Sequence, residues 1–208
     1  MAASAKQAAA PGRKSAAGTA PELSLQCKDQ KAWAAWLKEH HAASTGVWLR
    51  IARKGAAAPS VSYAEALEAA LCHGWIDGQK KSGIEGYWLQ RFTPRSAKSI
   101  WSKINRDKAL RLIAEKKMQA AGLREVEHAK ADGRWEGAYD SQSKAVVPAD
   151  LQAALDAAPK VKEFFATLDS ANRYAVLFRI QAVKKEETRA RKIRQFVEML
   201  ARHEKIHP

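Results

Sequence analysis

The segment Cys72–Asn105, CHGWIDGQKKSGIEGYWLQRFTPRSAKSIWSKIN, holds two short runs of period two inside a chain that mostly repeats at helical spacing. Trp75–Gln79 and Tyr87–Phe92 read as strands joined through Gly83 and Gly86, so a β-hairpin organises this region. Upstream, Val47, Leu49 and Ile51 alternate against Trp48 and Arg50, and Leu23, Leu25 and Cys27 form a shorter alternating run. Between these strands lie helices. Trp33, Trp36, Leu37 and His40 share one helix face that Asp29 can cap. Ser62-Tyr63-Ala64-Glu65 is a capping box that opens a helix burying Leu67, Ala70 and Leu71 and ending near Gly74.

Beyond Pro94 the pattern is helical. Asn105 can cap a helix carrying Ala109, Leu112 and Ile113, and a second helix runs from about Leu123 to Lys130, closing at Asp132-Gly133. After a loop at 136–147, Pro148 and Pro159 each suit a first helical turn, where a missing N–H costs little. Tyr174–Arg202 is basic and amphipathic, with Lys184-Lys185-Glu186-Glu187 as a break. The expected fold class is α+β: a small antiparallel or mixed sheet with packed helices, followed by a helical C-terminal unit. The expected division is a disordered tail at 1–21, an α+β core unit at 22–135 and the helical unit at 148–208. The tail is Ala-rich with Lys6, Arg13 and Lys14 and no acid before Glu22, and it has no apolar core like that of a signal peptide.

Charge narrows the choice of partner. A formal net charge of +14 attracts nucleic acid, anionic lipid or acidic ligands over a Debye length of about 10 Å at 0.1 M salt. No run of apolar residues approaches the roughly 18–20 needed to span a bilayer. Cys27 and Cys72 stand far apart with no CxxC, which reads as two buried reduced thiols in a cytoplasmic protein. Walker, GxGxxG, GxSxG and HExxH patterns are absent, and Ser141-Gln142-Ser143-Lys144 lacks the partners an SxxK nucleophile needs. The histidines lack a credible set of co-ligands, so neither metal nor cofactor is expected.

Chemistry concentrates in the hairpin and the segment after it. Three of the seven tryptophans, Trp75, Trp88 and Trp101, fall between Cys72 and Asn105. Strand alternation puts Trp75, Asp77 and Gln79 on one face, and Tyr87, Leu89 and Arg91 share a face on the neighbouring strand. An Asp77–Arg91 pairing across the hairpin is then within reach. One reading is a ligand pocket walled by Trp75 and Trp101, with Asn105 beside them, Arg91 as anion clamp and His73 as acid or base. The other is a cross-strand ion pair beside an aromatic core. Arg95, Lys98, Lys103 and Arg106 form a basic patch, either a phosphate-holding surface or a solvated loop before a helix.

The motifs WIDG (Trp75–Gly78), RFTPR (Arg91–Arg95) and SIWSKIN (Ser99–Asn105), with AKADGRW (Ala129–Trp135) and Glu187-Thr188-Arg189 followed by Arg191, resemble the YdeI/OmpD-associated, or bacteriocin-protection, family. The resemblance covers roughly residues 22–208. It implies a role in bacterial tolerance of bacteriocins and cationic antimicrobial peptides, and it brings no catalytic residues to carry over. Members tend to show an acidic pair at the hairpin turn, where this chain has only Glu85 between Gly83 and Gly86. The expected function is that of a non-enzymatic cytoplasmic stress protein acting on an unidentified ligand or protein partner. Two alternatives stand beside it: a small-molecule enzyme or ligand-binding protein with a Trp/Asp/Arg pocket, and a nucleic-acid-binding protein using its basic surface, with nonspecific nucleic acid as the partner its charge allows.

Overall fold

The computed structural model describes residues 24–56, 58–83, 86–183 and 185–208. The tail at 1–21, Leu23, Glu85 and Lys184 lie outside the described residues. The chain runs β1 (Ser24–Leu25), α1 (Gln30–His40), β2 (Val47–Ala52), α2 (Tyr63–Cys72), β3 (Trp75–Ser82), β4 (Tyr87–Pro94), α3 (Lys103–Ala114) and α4 (Ala120–Ala131). It continues through α5 (Ala149–Asp156), α6 (Pro159–Thr167), α7 (Ser170–Gln181) and α8 (Glu186–Ala201). The result is the expected α+β class. Among the described residues the sheet is mixed, in the order β1-β2-β4-β3, with β1 parallel to β2 through the α1 crossover and the other pairs antiparallel.

Local sequence explains most of these boundaries. Asp29 caps α1 through a bond from Ala32 N at 2.8 Å, and the Ser62–Glu65 capping box forms in both directions. Gly74, with φ +74°, takes a left-handed conformation that L side chains rarely adopt, and so lets α2 turn directly into β3. Pro159 stands at the start of α6, while Pro148 caps α5 from just outside it. The charged stretch before Glu186 separates α7 from α8. One cap differs from expectation. Ser102, not Asn105, caps α3, its hydroxyl accepting from Asn105 N at 3.1 Å, because the helix begins three residues earlier than its apolar periodicity suggests.

The buried apolar side chains form two clusters. The first joins the inner sheet face (Val47, Leu49, Ile51, Trp75, Phe92) to α1–α4, with α2 touching α1, β3, α3 and α4. The second is built by α5–α8 around Leu155, Phe165, Ile180 and Leu200. No helix among the described residues is long and apolar enough to cross a membrane. Cys27 and Cys72 are both buried free thiols.

Candidate functional site

The hairpin register decides which polar groups meet. Asp77 pairs with Phe92, and the ladder then shifts between Asp77 and Lys80. Residues directly opposite share a face, so Asp77 lies on the inner face with Phe92, and Arg91 lies on the outer one. The expected Asp77–Arg91 pairing is therefore replaced. Asp77 Oδ2 accepts from the Tyr63 hydroxyl at 2.7 Å, and the Arg91 guanidinium sits 5.7 Å from the Trp48 ring centroid on the other side of the sheet. Buried Gln90 stabilises the bulge: its Nε2 donates to the carbonyls of Gly78 and Gln79 at 3.0 and 3.1 Å, groups the broken ladder leaves over.

Other elements complete a polar groove beside Asp77. Tyr63 is the first residue of α2, placed by its capping box. Ser102 and Asn105 open α3. Tyr139 comes from an aperiodic loop that bridges back to Ser102, with Tyr139 N donating to the Trp101 carbonyl at 3.0 Å and Lys103 N to the Tyr139 carbonyl at 2.9 Å. A cavity of about 400 Å³ is lined by Tyr63, Asp77, Ser102, Ile104, Asn105 and Tyr139 among others. An adjoining one of about 320 Å³ shares Asp77, Asn105 and Tyr139 and adds Lys98 and Ile100. Burial, then the bond to Asp77 and its charge, raises the Tyr63 phenol pKa. Burial, then the Asp77 charge, raises that of Tyr139. Both phenols stay protonated near neutrality and remain donors.

Of the six residues singled out for ligand binding, the groove unites Asp77 and Asn105. The other four stand elsewhere. Trp75 is 1% exposed, its indole N–H donating to the His41 carbonyl at 3.1 Å and its ring set edge-on to Trp33 and Trp36, so it is core rather than wall. Trp101 is 2% exposed between Arg95 and Trp135. Arg91 faces Trp48. His73 caps the end of α2, where its Nδ1 lies 2.9 Å from the Ala69 carbonyl oxygen. It borders a different cavity, about 310 Å³, together with Cys72. Burial, then the charge of Glu68, pushes the Cys72 thiol up to about 11, which leaves too little thiolate for a nucleophile.

The basic patch is not one continuous surface. Arg95 is 7% exposed, stacked 3.5 Å from the Trp101 ring centroid. Lys103 pairs with Asp140 at 2.8 Å, and Arg106 reaches the Trp135 carbonyl at 3.5 Å. Lys98 alone of the four borders the groove. Among the described residues no group of three or more His, Cys, Asp or Glu is placed to hold a metal ion.

Burial, its largest cause, lowers the His73 pKa below the usual 6.5. The unfolded chain then binds more protons in the window just below that value. His73 therefore contributes stability that is fully present above pH 6.5 and is lost as pH falls through the folded-state pKa. Urea unfolding measured stepwise from pH 8 to pH 5 should show this loss, and His73→Gln should flatten it. An equal slope in the variant would place the effect on another group.

Against known families, residues 144–203 match the model described as Bacteriocin-protection, YdeI or OmpD-Associated, the family the sequence motifs resemble. Residues 25–125, which hold WIDG, RFTPR and SIWSKIN, match a domain of unknown function (DUF8412). No curated protein and no solved structure matches the chain.

Proposed function

We propose that this chain is a non-enzymatic binding protein of bacterial tolerance to bacteriocins and antimicrobial peptides, that it acts in the cytoplasm, and that the groove around Asp77, Asn105 and Tyr139 holds its ligand. The convergence of those three residues carries the reading. They come from β3, α3 and a loop more than 30 positions further on, and their carboxylate, amide and phenol groups meet in one groove with Ile100 and Ile104 exposed beside it. Such a mixture of oriented polar groups and an apolar rim suits a hydrogen-bonding ligand with an apolar body. The family match over residues 144–203 supports the protective role.

The charge balance favours an indirect role over capture of the toxic peptide itself. A body of +14 repels a cationic peptide at range, and Asp77 is the one acid bordering the groove, set against Lys98 and Lys108. The test is Asp77→Asn combined with Asn105→Ala, returned to a deletion strain challenged with antimicrobial peptide. Hydrogen bonds to charged groups contribute about 1.5–3 kcal/mol each, so affinity should fall roughly tenfold or more. The folded double variant should then fail to restore tolerance, and native mass spectrometry should lose any co-purifying mass. Full tolerance from a folded double variant would remove the groove from the function.

A further inference from the structure

Two opposite charges border the groove. Asp77 lines both of its cavities, and Lys98 lines the smaller one. We propose, building on the reading that the groove holds a ligand, that this ligand is a zwitterion with an apolar body. A free amino acid with an aliphatic side chain is the simplest member of that class. Its ammonium lies on Asp77, and its carboxylate lies on Lys98 and Asn105.

The fold sets the acidic end. Asp77 is half-buried on β3 and takes one hydrogen bond, from the Tyr63 hydroxyl to Oδ2 at 2.7 Å. That bond holds the carboxylate, while Oδ1 keeps its acceptor capacity. No cation among the described residues forms an ion pair with Asp77. Arg95 acts on it through space alone, with its guanidinium stacked over Trp101, and Glu125 is the acid that acts most on Arg95. An ammonium at Oδ1 would make a charge-assisted bond, stronger than any a neutral hydroxyl could offer.

The basic end comes from the loop after β4 and from the start of α3. Lys98 is exposed; its backbone N–H is taken by Ser96 Oγ at 3.3 Å, and its ammonium has no acceptor among the described residues. Asn105 is half-buried, its backbone N–H taken by Ser102 Oγ at 3.1 Å and its side-chain amide unbonded among the described residues. A point charge on a flexible stem beside a fixed neutral donor suits a carboxylate. Lys108, the other cation at the border, is held 3.7 Å from Glu68.

Charge balance selects the class. An amine alone would stand against Lys98, and a carboxylate alone would stand against Asp77. A zwitterion pairs both and adds no net charge. The apolar side chain has its own flank: Leu67 lines the larger cavity, and Ile100 and Ile104 are exposed at the rim. Cavities of about 400 and 320 Å³ are of the size that small ligands occupy.

The test titrates the full chain with three probes that share one apolar body: L-leucine, isopentylamine and isocaproate. The backbone amide resonances of Ile104 and Asn105 report binding by NMR. Leucine should bind about tenfold more tightly than isocaproate, which lacks the ammonium. It should bind about threefold more tightly than isopentylamine, which lacks the carboxylate, a smaller margin because Lys98 is exposed. Asp77→Asn should weaken leucine about tenfold, and Lys98→Gln about threefold while leaving isopentylamine no weaker. Absence of saturable leucine binding, equal affinity for leucine and either single-charge probe, or unchanged leucine affinity in either variant would each overturn the assignment. The three-probe comparison needs no substitution, so it decides even where a variant fails to fold. Failure of the class and failure of the groove's role are separable. Lost tolerance in the folded Asp77→Asn/Asn105→Ala variant without leucine binding keeps the groove and overturns the zwitterion. Leucine binding with full tolerance from that variant keeps the zwitterion site and removes it from the protective role.

Discussion

Trp33→Ala should cost about 3–5 kcal/mol of stability, a large part of the roughly 5–15 kcal/mol that a folded domain holds. Trp33 is fully buried, and its indole N–H donates to the Ala66 carbonyl at 3.0 Å, tying α1 to α2. Its ring stacks on Trp36 at 5.3 Å, meets Trp75 edge-on at 6.4 Å and tilts against Phe92 at 5.6 Å. Truncation leaves a cavity where α1 rests on the sheet and removes the indole donor from a buried carbonyl. Urea denaturation should show a lower midpoint with an unchanged slope. A loss under about 1 kcal/mol would mean that the surrounding aromatics move in to close the space.

Gly122→Ala should destabilise, although the same change in an exposed helix stabilises by about 1 kcal/mol. Gly122 lies in the first turn of α4, where that helix crosses the end of α2. An added Cβ would overlap the Cys72 carbonyl oxygen and lie 2.6 Å from Met118 Sδ and 2.7 Å from the Leu71 carbonyl oxygen. The backbone there has little room to retreat. The Cys72 carbonyl accepts Gln119 N at 3.0 Å, and that of Leu71 accepts Gly74 N at 3.1 Å. Overpacking of this kind costs about 1–3 kcal/mol, enough to reverse the propensity gain, and Gly122→Val should cost more. Thermal unfolding of both variants checks the sign. A stabilised Gly122→Ala would show that α4 can slide away from α2.

The elements were largely legible in the sequence because each carries a local signature. The capping box at Ser62, the alternation of β2 and the charged break before α8 all act within a few residues. The site was half legible, and the reason lies in parity. Asp77 and Arg91 belong to neighbouring strands, and a slip of one residue in their pairing exchanges the faces. The Asp77↔Phe92 register sets them on opposite faces, and neither strand's own alternation encodes it. Trp75 and Trp101 carried a different ambiguity, since the aromatic types that wall a pocket also fill a core. Tyr63 could have been found as the first residue of a capping-box helix just upstream of the hairpin. Tyr139 could not, because it sits in an aperiodic loop whose position depends on the main-chain bridge to Ser102.

That bridge also ties the two regions of sequence similarity together. The Tyr139 ring meets Phe178 of α7 edge-on at 5.0 Å, and the next residue, Asp140, takes the Lys103 ammonium while its carbonyl accepts the Tyr174 hydroxyl at 2.9 Å. One wall of the groove therefore rests on helices of the region that matches the bacteriocin-protection family model. Were the proposed ligand to contact Tyr139 and a partner to contact Phe178, each would change the other's affinity by the same factor. If the groove holds a ligand as proposed, a substitution on α7 that moves Phe178 would reach it through Tyr139 without touching the ligand itself.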